Sequence, residues 1–269
     1  MNAYIHHFLY DFKTGIRERS KLLMYYLFPL VFFVLVGGLL TSVNPYFKDT
    51  MLPAMLLFGY MCPTLQLFPN ALVSARETGV FRSYRINGVP AASIVSVPVL
   101  SAALHMALLS VILAVAGARV FGGAMPDHVG GFILVSALSY FSYAGIGVLV
   151  GIACGSGTAA TLVCQIIYIP SIILGGLMVP ISIMPAALQH VAMLLPATHC
   201  MRLFSWLAMP GAGSPQWLSL GVLLASTVLS FLLAGLLFQW ESRANAPTKK
   251  PWLALLVVVP FAIAAVAGA

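Results

Sequence analysis

Charge is what this sequence has least of. Of its 269 residues only 7% are Asp, Glu, Lys or Arg, 61% are hydrophobic, and the mean hydropathy is +1.01. Soluble domains carry about a quarter charged residues, so a soluble globular fold is excluded. Acids are the scarcest charges. The six are Asp11, Glu18, Asp49, Glu77, Asp127 and Glu241, and each falls at the edge of an apolar run or between two runs. An ion-coupled carrier normally needs a carboxylate inside the membrane to hold its coupling ion, and none is placed there. The four cysteines, Cys62, Cys154, Cys164 and Cys200, lie in or beside apolar runs without metal-ligand spacing. They read as small buried hydrophobes and predict neither a disulfide framework nor a metal site. A phosphate loop needs a Gly-Lys pair, which occurs nowhere. The glycine-rich Gly155-Ser156-Gly157-Thr158 lacks that lysine. H-E-x-x-H is also missing, as is a G-x-S-x-G with a credible triad. The chain therefore carries no catalytic residue and no cofactor of its own, and any energy for active work must come from another polypeptide.

What is present is length in the apolar runs. They are continuous and about twenty residues long, the length an α-helix needs to cross hydrocarbon. A β-barrel would instead show segments of about ten residues alternating apolar and polar. The expected fold is all-α and polytopic, with spans at 22–41, 52–73, 93–117, 130–153, 159–179 and 217–239, and a candidate seventh at 252–269. The first run is too long for the apolar region of a cleavable signal. Span two carries Pro53, Pro63 and Pro69 with Gln66 and Asn70, so a kinked helix inside the bundle is expected. Gly147, Gly151 and Gly155 recur at four-residue spacing, a stripe for close helix contact. Residues 180–210 are apolar but punctuated by Pro180, Pro185, Pro196 and Pro210, with His190, His199 and Arg202 near the end. A straight span cannot carry that punctuation. The segment predicts a re-entrant or interfacial hairpin on the outer side, its His and Arg at headgroup level.

The net charge of +7 does not point to nucleic acid, because the bases cluster beside span ends. With the N-terminus cytoplasmic, that side holds Lys13, Arg17, Arg19, Lys21, Arg76, Arg82, Arg85, Arg243, Lys249 and Lys250, against Lys48, Arg119 and Arg202 outside. This is the positive-inside pattern. Residues 2–20 form an amphipathic helix, with Ile5, Phe8, Leu9, Phe12 and Ile16 on one face, suited to lying on the membrane surface.

Between spans two and three, Ser74–Ala92 must emerge into water, since Arg76, Glu77, Arg82 and Arg85 cannot sit in hydrocarbon. Val80, Phe81 and Tyr84 share one face of a short helix. The segment is either an aromatic docking ridge for a protein partner, rimmed by arginine, or a solvated loop that fixes topology. His105 is the clearly intramembrane ionisable group. It either bonds a neighbouring helix as neutral imidazole or lines a substrate path.

Two passages resemble the type-2 ABC transporter permeases, the membrane subunits of bacterial drug, lipid and polysaccharide exporters. Arg76-Glu77-Thr78-Gly79-Val80-Phe81-Arg82-Ser83-Tyr84-Arg85 is similar to the family's cytoplasmic coupling helix. Gly176-Leu177-Met178-Val179-Pro180 through Pro185, Leu188, Pro196 and Arg202 is similar to its outer re-entrant segment. The likeness covers residues 1–240, the transmembrane domain, and leaves 241–269 as an extension. Proline comes at Pro90 where the family often has it near Gly88, and Ala75-Arg76 replaces the first of its paired acids. The resemblance implies the permease of an ATP-driven exporter of an amphipathic substrate in the bacterial plasma (inner) membrane. It implies Glu77, Gly79, Phe81, Arg82, Tyr84 and Arg85 as the coupling residues. The implied partners are a cytoplasmic ABC ATPase that holds ATP and Mg, a second permease copy or a similar permease, and membrane lipids. An ion-coupled secondary transporter or a non-transporting assembly factor is the alternative from another class.

Overall fold

The structure is a computed structural model and describes residues 2–43, 47–211, 213–240 and 250–267. Among these residues there is no strand. A surface helix α1 (Asn2–Arg17) leads into six helices long and apolar enough to cross a membrane: α2 (Arg19–Val43), α3 (Phe47–Glu77), α5 (Ala91–Phe121), α6 (Val129–Ala153), α7 (Gly157–Leu174) and α10 (Trp217–Leu237). The short α4 (Val80–Ile86) separates α3 from α5. A hairpin of α8 (Ala186–Ala192) and α9 (Pro196–Leu207) separates α7 from α10. An apolar helix α11 (Pro251–Ala267) closes the chain. Glu241, Arg243 and Lys249 lie outside the described residues.

The expected span ends shift for local reasons. Helix α3 runs well past 52–73 in both directions, because Lys48, Asp49, Arg76 and Glu77 stay helical beyond the apolar stretch. Span five stops at Leu174, short of 179, because Gly176 adopts a left-handed φ of 89° that breaks the helix. Span three extends to Phe121 through a widened π turn, Gly117–Phe121.

Helix α3 is the axis of the bundle, 89% of its apolar window being buried against 22% for α2 and for α7. Pro53 lies within its regular α-helical turns, and between Pro63 and Pro69 the helix widens into a π-helical turn, Cys62–Leu67, rather than breaking. Glycine lets α6 close on that turn: a Cβ at Gly147 would overlap the Thr64 carbonyl, and one at Gly151 would come within 2.9 Å of the Pro69 Cα. The expected stripe thus packs through Gly147 and Gly151, whereas Gly155 lies exposed in the α6–α7 turn. Tyr60 Oη meets Ser110 Oγ at 2.7 Å, tying α3 to α5, and Tyr140 Oη donates to the Val99 carbonyl at 2.7 Å, tying α6 to α5.

The hairpin enters the bundle. Residues Pro196 to Met201 of α9, with Leu203 and Phe204, are buried. His199, expected at headgroup level, is turned fully inward. Its Nε2 donates to the Met193 carbonyl at 2.9 Å and its Nδ1 faces Ser219 Oγ at 3.1 Å, pinning the hairpin to α10. Burial pushes this imidazole down to about 4, with Arg202 adding to the effect.

Helix α11 is 3-10 over Pro251–Val258 and α over Val259–Ala267. The tighter half rises about 2 Å per residue against about 1.5 Å in the α half, so the segment reaches about 30 Å, the thickness of the hydrocarbon core. It lies along α10, begins beside Ala153 and Cys154, and brings Phe261 to 5.8 Å from His199. Pro260 falls in the first turn of its α half and does not fold it into a hairpin.

Candidate functional site

The polar end of the bundle opposite the hairpin is built around α4. Gly79 makes the corner. With φ of 78° it ends α3 and starts α4, a conformation that costs a residue bearing a Cβ about 1–2 kcal/mol. Its amide donates to the Arg76 carbonyl at 3.3 Å, and its own carbonyl accepts from the Ser83 amide at 3.1 Å. A second left-handed glycine, Gly88, turns the chain out, and the Val89 amide donates to the Tyr84 carbonyl at 3.0 Å. Helix α4 is therefore a short, capped rod, not a linker.

Its apolar face turns inward. Phe81 is 3% exposed, its ring 5.5 Å from Phe238 at the end of α10. Tyr84 is half-buried, edge-on to His7 of α1 at 5.9 Å. An outward aromatic ridge of Val80, Phe81 and Tyr84 is thus not what folds. Phe81 and Tyr84 instead seal the end of the bundle, where burial of Phe81 is favourable by about 1.5–3 kcal/mol, while Val80, in the first turn, stays 38% exposed. The residues left facing outward are Glu77, Val80, Arg82, Ser83, Arg85 and Ile86, with Ile86 77% exposed. A local ion pair from Glu77 is not formed among the described residues.

Arg76 is the residue that sequence reasoning misplaced. Expected to emerge into water with the rest of Ser74–Ala92, it lies instead in the last turn of α3 and is 5% exposed. Its guanidinium donates to the Ile152 carbonyl at 3.0 Å and to the Cys154 carbonyl at 2.5 Å. These acceptors are at the C-terminus of α6, where carbonyls lack intrahelical partners and the helix dipole favours a cation. The corner that carries α4 is thereby bolted to the α6–α7 turn.

His105 sits at a second junction. Its ring stacks on Phe12 of α1 at 4.4 Å, Nε2 lies 3.1 Å from the Phe12 carbonyl and Nδ1 lies 2.7 Å from Tyr26 Oη. A neutral Nε2–H tautomer satisfies both, donating to the carbonyl and accepting from the phenol. A Cβ at Gly15 would overlap this ring. The surface helix is thus packed on α5 through Phe12 and Gly15, and leaves Ile5, Leu9 and Ile16 outward for lipid.

Between α3 and α7 runs a polar pair of rungs whose pairing the sequence did not reveal. Asn70 and Thr161 exchange hydrogen bonds at 3.1 and 3.2 Å, and Gln165 Nε2 donates to Gln66 Oε1 at 3.3 Å. They join α7, one of the two least buried spans, to α3, the most buried. Phe58 of α3 stacks on Phe32 of α2 at 3.6 Å and lies 6.1 Å from Tyr168 of α7. No group of three or more His, Cys, Asp or Glu side chains that could hold a metal ion occurs among the described residues.

Comparison with curated proteins finds no match to the chain. The model of the ABC-2 family transporter proteins matches residues 18–236, which takes in all six spans, the capped corner helix and the hairpin; the chain belongs to that family, as a multi-pass membrane permease rather than a catalyst.

Proposed function

We propose that the chain is the permease of an ATP-driven exporter, working with a separate cytoplasmic ABC ATPase. The observation that carries this reading is the construction of α4. It is anchored from below by Phe81, held at its corner by Arg76 and Gly79, and presents Arg82, Arg85 and Ile86 outward. A rod that is anchored rigidly and still offers an exposed basic–apolar surface suits the transmission of a partner's movement. Glu77, Arg82, Arg85 and Ile86 make the docking surface. Gly79 and Phe81 position it, and Tyr84 joins it to α1. ATP and Mg belong to the partner, and closure of the ATPase pair would push α4, α3 and α5 as a unit.

Two copies, or this chain and a similar one, enclose the path. The faces available for a second copy are those of α2 and α7, where Leu27, Val31 and Leu35, and Leu162, Ile166 and Ile169, stand exposed. The neutral amide and hydroxyl rungs of Gln66, Asn70, Thr161 and Gln165 border that face. An apolar wall with uncharged hydrogen-bonding groups fits an amphipathic drug or lipid. The surplus of bases at the α4 end supports a reading in which that end and the N-terminus face the cytoplasm, in a bacterial plasma membrane.

Transport into inverted vesicles tests this reading. ATP should drive it, and it should persist when an uncoupler collapses the proton gradient while ATP is maintained. Loss of transport under the uncoupler would overturn it in favour of an ion-coupled carrier.

A further inference from the structure

Helix α1 carries three separate faces. Phe12 and Gly15 pack inward on His105 of α5, and His7 meets Tyr84 of α4 edge-on. At about 100° per residue, the next sector round the helix holds Ile5, Leu9 and Ile16, all exposed. The sector after that holds Lys13 and Arg17, also exposed, and exposed Arg19 follows at the start of α2. Glu18 is the acid exposed beside them. Among the described residues these three bases enter no ion pair, whereas Lys21, just beyond, is held by Asp11 at 2.8 Å. A helix surrounded only by water gains nothing from an exposed Ile–Leu–Ile stripe. With the stripe among acyl carbons, the neighbouring bases come to the level of the headgroup phosphates. Three bases against one acid then decide which lipid fits.

We infer that the outward face of α1 docks on anionic phospholipid, Lys13, Arg17 and Arg19 meeting the headgroup phosphates while Ile5, Leu9 and Ile16 enter the acyl layer. Phosphatidylglycerol carries a net negative charge. Phosphatidylcholine has the same phosphate but cancels it with a quaternary ammonium, so the first is held and the second is not. A base near an anionic surface is worth roughly fivefold in affinity. Three bases opposed by Glu18 therefore give a preference of roughly tenfold or more. The helix held in this way is the one that touches α4 through His7 and Tyr84.

The test equilibrates the full chain in nanodiscs with equal parts of phosphatidylglycerol and phosphatidylcholine, then identifies the most tightly retained lipid by native mass spectrometry. Phosphatidylglycerol should be favoured roughly tenfold or more. Lys13→Gln, Arg17→Gln and Arg19→Gln together should reduce that preference roughly tenfold. The swap Lys13→Arg, Arg17→Lys and Arg19→Lys should keep it, because charge rather than side-chain shape is read. Lys48→Gln with Arg119→Gln, at exposed bases outside α1, should keep it too. On the unmodified protein, equilibration at about 1 M rather than about 0.1 M salt cuts the Debye length from about 10 Å to about 3 Å and should erase most of the preference. Equal retention of the two lipids by the parent, a preference indifferent to salt, or one that survives the glutamine triple would each overturn the inference. So would an equal loss in the Lys48–Arg119 variant. A glutamine triple that keeps its lipid preference but no longer captures the ABC ATPase would make the face a protein dock instead.

Discussion

Arg76 offers a sharp test of how the corner helix is mounted. Replacing it by Met keeps the apolar stem and removes the guanidinium, with its bonds to the Ile152 and Cys154 carbonyls. Hydrogen bonds from a charged donor contribute about 1.5–3 kcal/mol each. Loss of both should cost about 3 kcal/mol, since one buried and one part-buried carbonyl at the end of α6 are left to find other donors. In a chain of this size that corresponds to roughly 6–12 °C in thermal midpoint. Arg76→Lys should fall between, because one ammonium lacks the fork that reaches two acceptors. The local readout is Cys154, partly exposed in the α6–α7 turn while Cys62, Cys164 and Cys200 are buried. Maleimide should label Cys154 faster in Arg76→Met than in the parent, and faster than in a control substitution at exposed Arg82. A parent-like midpoint together with parent-like labelling would refute the bolted corner.

Three further outcomes follow from the packing. Gly147→Ala should sharply reduce folded protein in membranes, because the added methyl overlaps the Thr64 carbonyl, a backbone atom that cannot swing aside; Gly155→Ala, at an exposed turn position, should be close to silent, as quantitative fluorescence size-exclusion profiles would show. His199, held neutral by burial with its pKa lowered from 6.5 to about 4, binds its proton more readily in the unfolded chain, so its contribution is complete above about pH 6.5 and lost as pH falls toward 4, by up to about 3 kcal/mol; the stability difference between the parent and His199→Phe should shift by that amount across the window, and a constant difference would contradict it. A cytoplasm-active reporter fused after Ala269 should be silent, since α11 is about as long as the hydrocarbon core is thick, and a strong signal would remove it as a seventh span.

The spans were legible because hydropathy over about twenty residues measures the same quantity that membrane insertion does. Their ends were less so. Asp49 and Glu77 look like boundaries when charge marks the end of a span, but a helix continues into the headgroup region wherever its backbone bonds remain satisfied. The face shared by Val80, Phe81 and Tyr84 was also readable from its spacing. Which way it points was not, because an apolar stripe rimmed by arginine can meet either a partner or the chain's own interior, and Phe238 lies far along the sequence. Arg76 was hidden for the same reason: its acceptors are backbone carbonyls more than seventy residues away, and a carbonyl leaves no mark in a sequence. The pairing of Asn70 with Thr161, and the seat of His105 against Phe12 and Tyr26, are likewise products of helix packing that residue types alone do not announce.

The central claim is that the outward face of α4 receives an ATPase while its inward face only holds it in place. The direct measurement compares two variants for membrane abundance and for capture of the cognate ABC ATPase. One carries Arg82→Ala, Arg85→Ala and Ile86→Ala; the other carries Phe81→Ala alone. Burial of Ile86 in the complex should contribute about 1.5–3 kcal/mol, with the arginines setting orientation and association rate. Phe81→Ala should instead cost the permease itself about 3–5 kcal/mol by opening a cavity. The triple variant should keep normal abundance and lose ATPase capture, whereas Phe81→Ala should be reduced in abundance. Undiminished ATPase capture by the triple variant would contradict it.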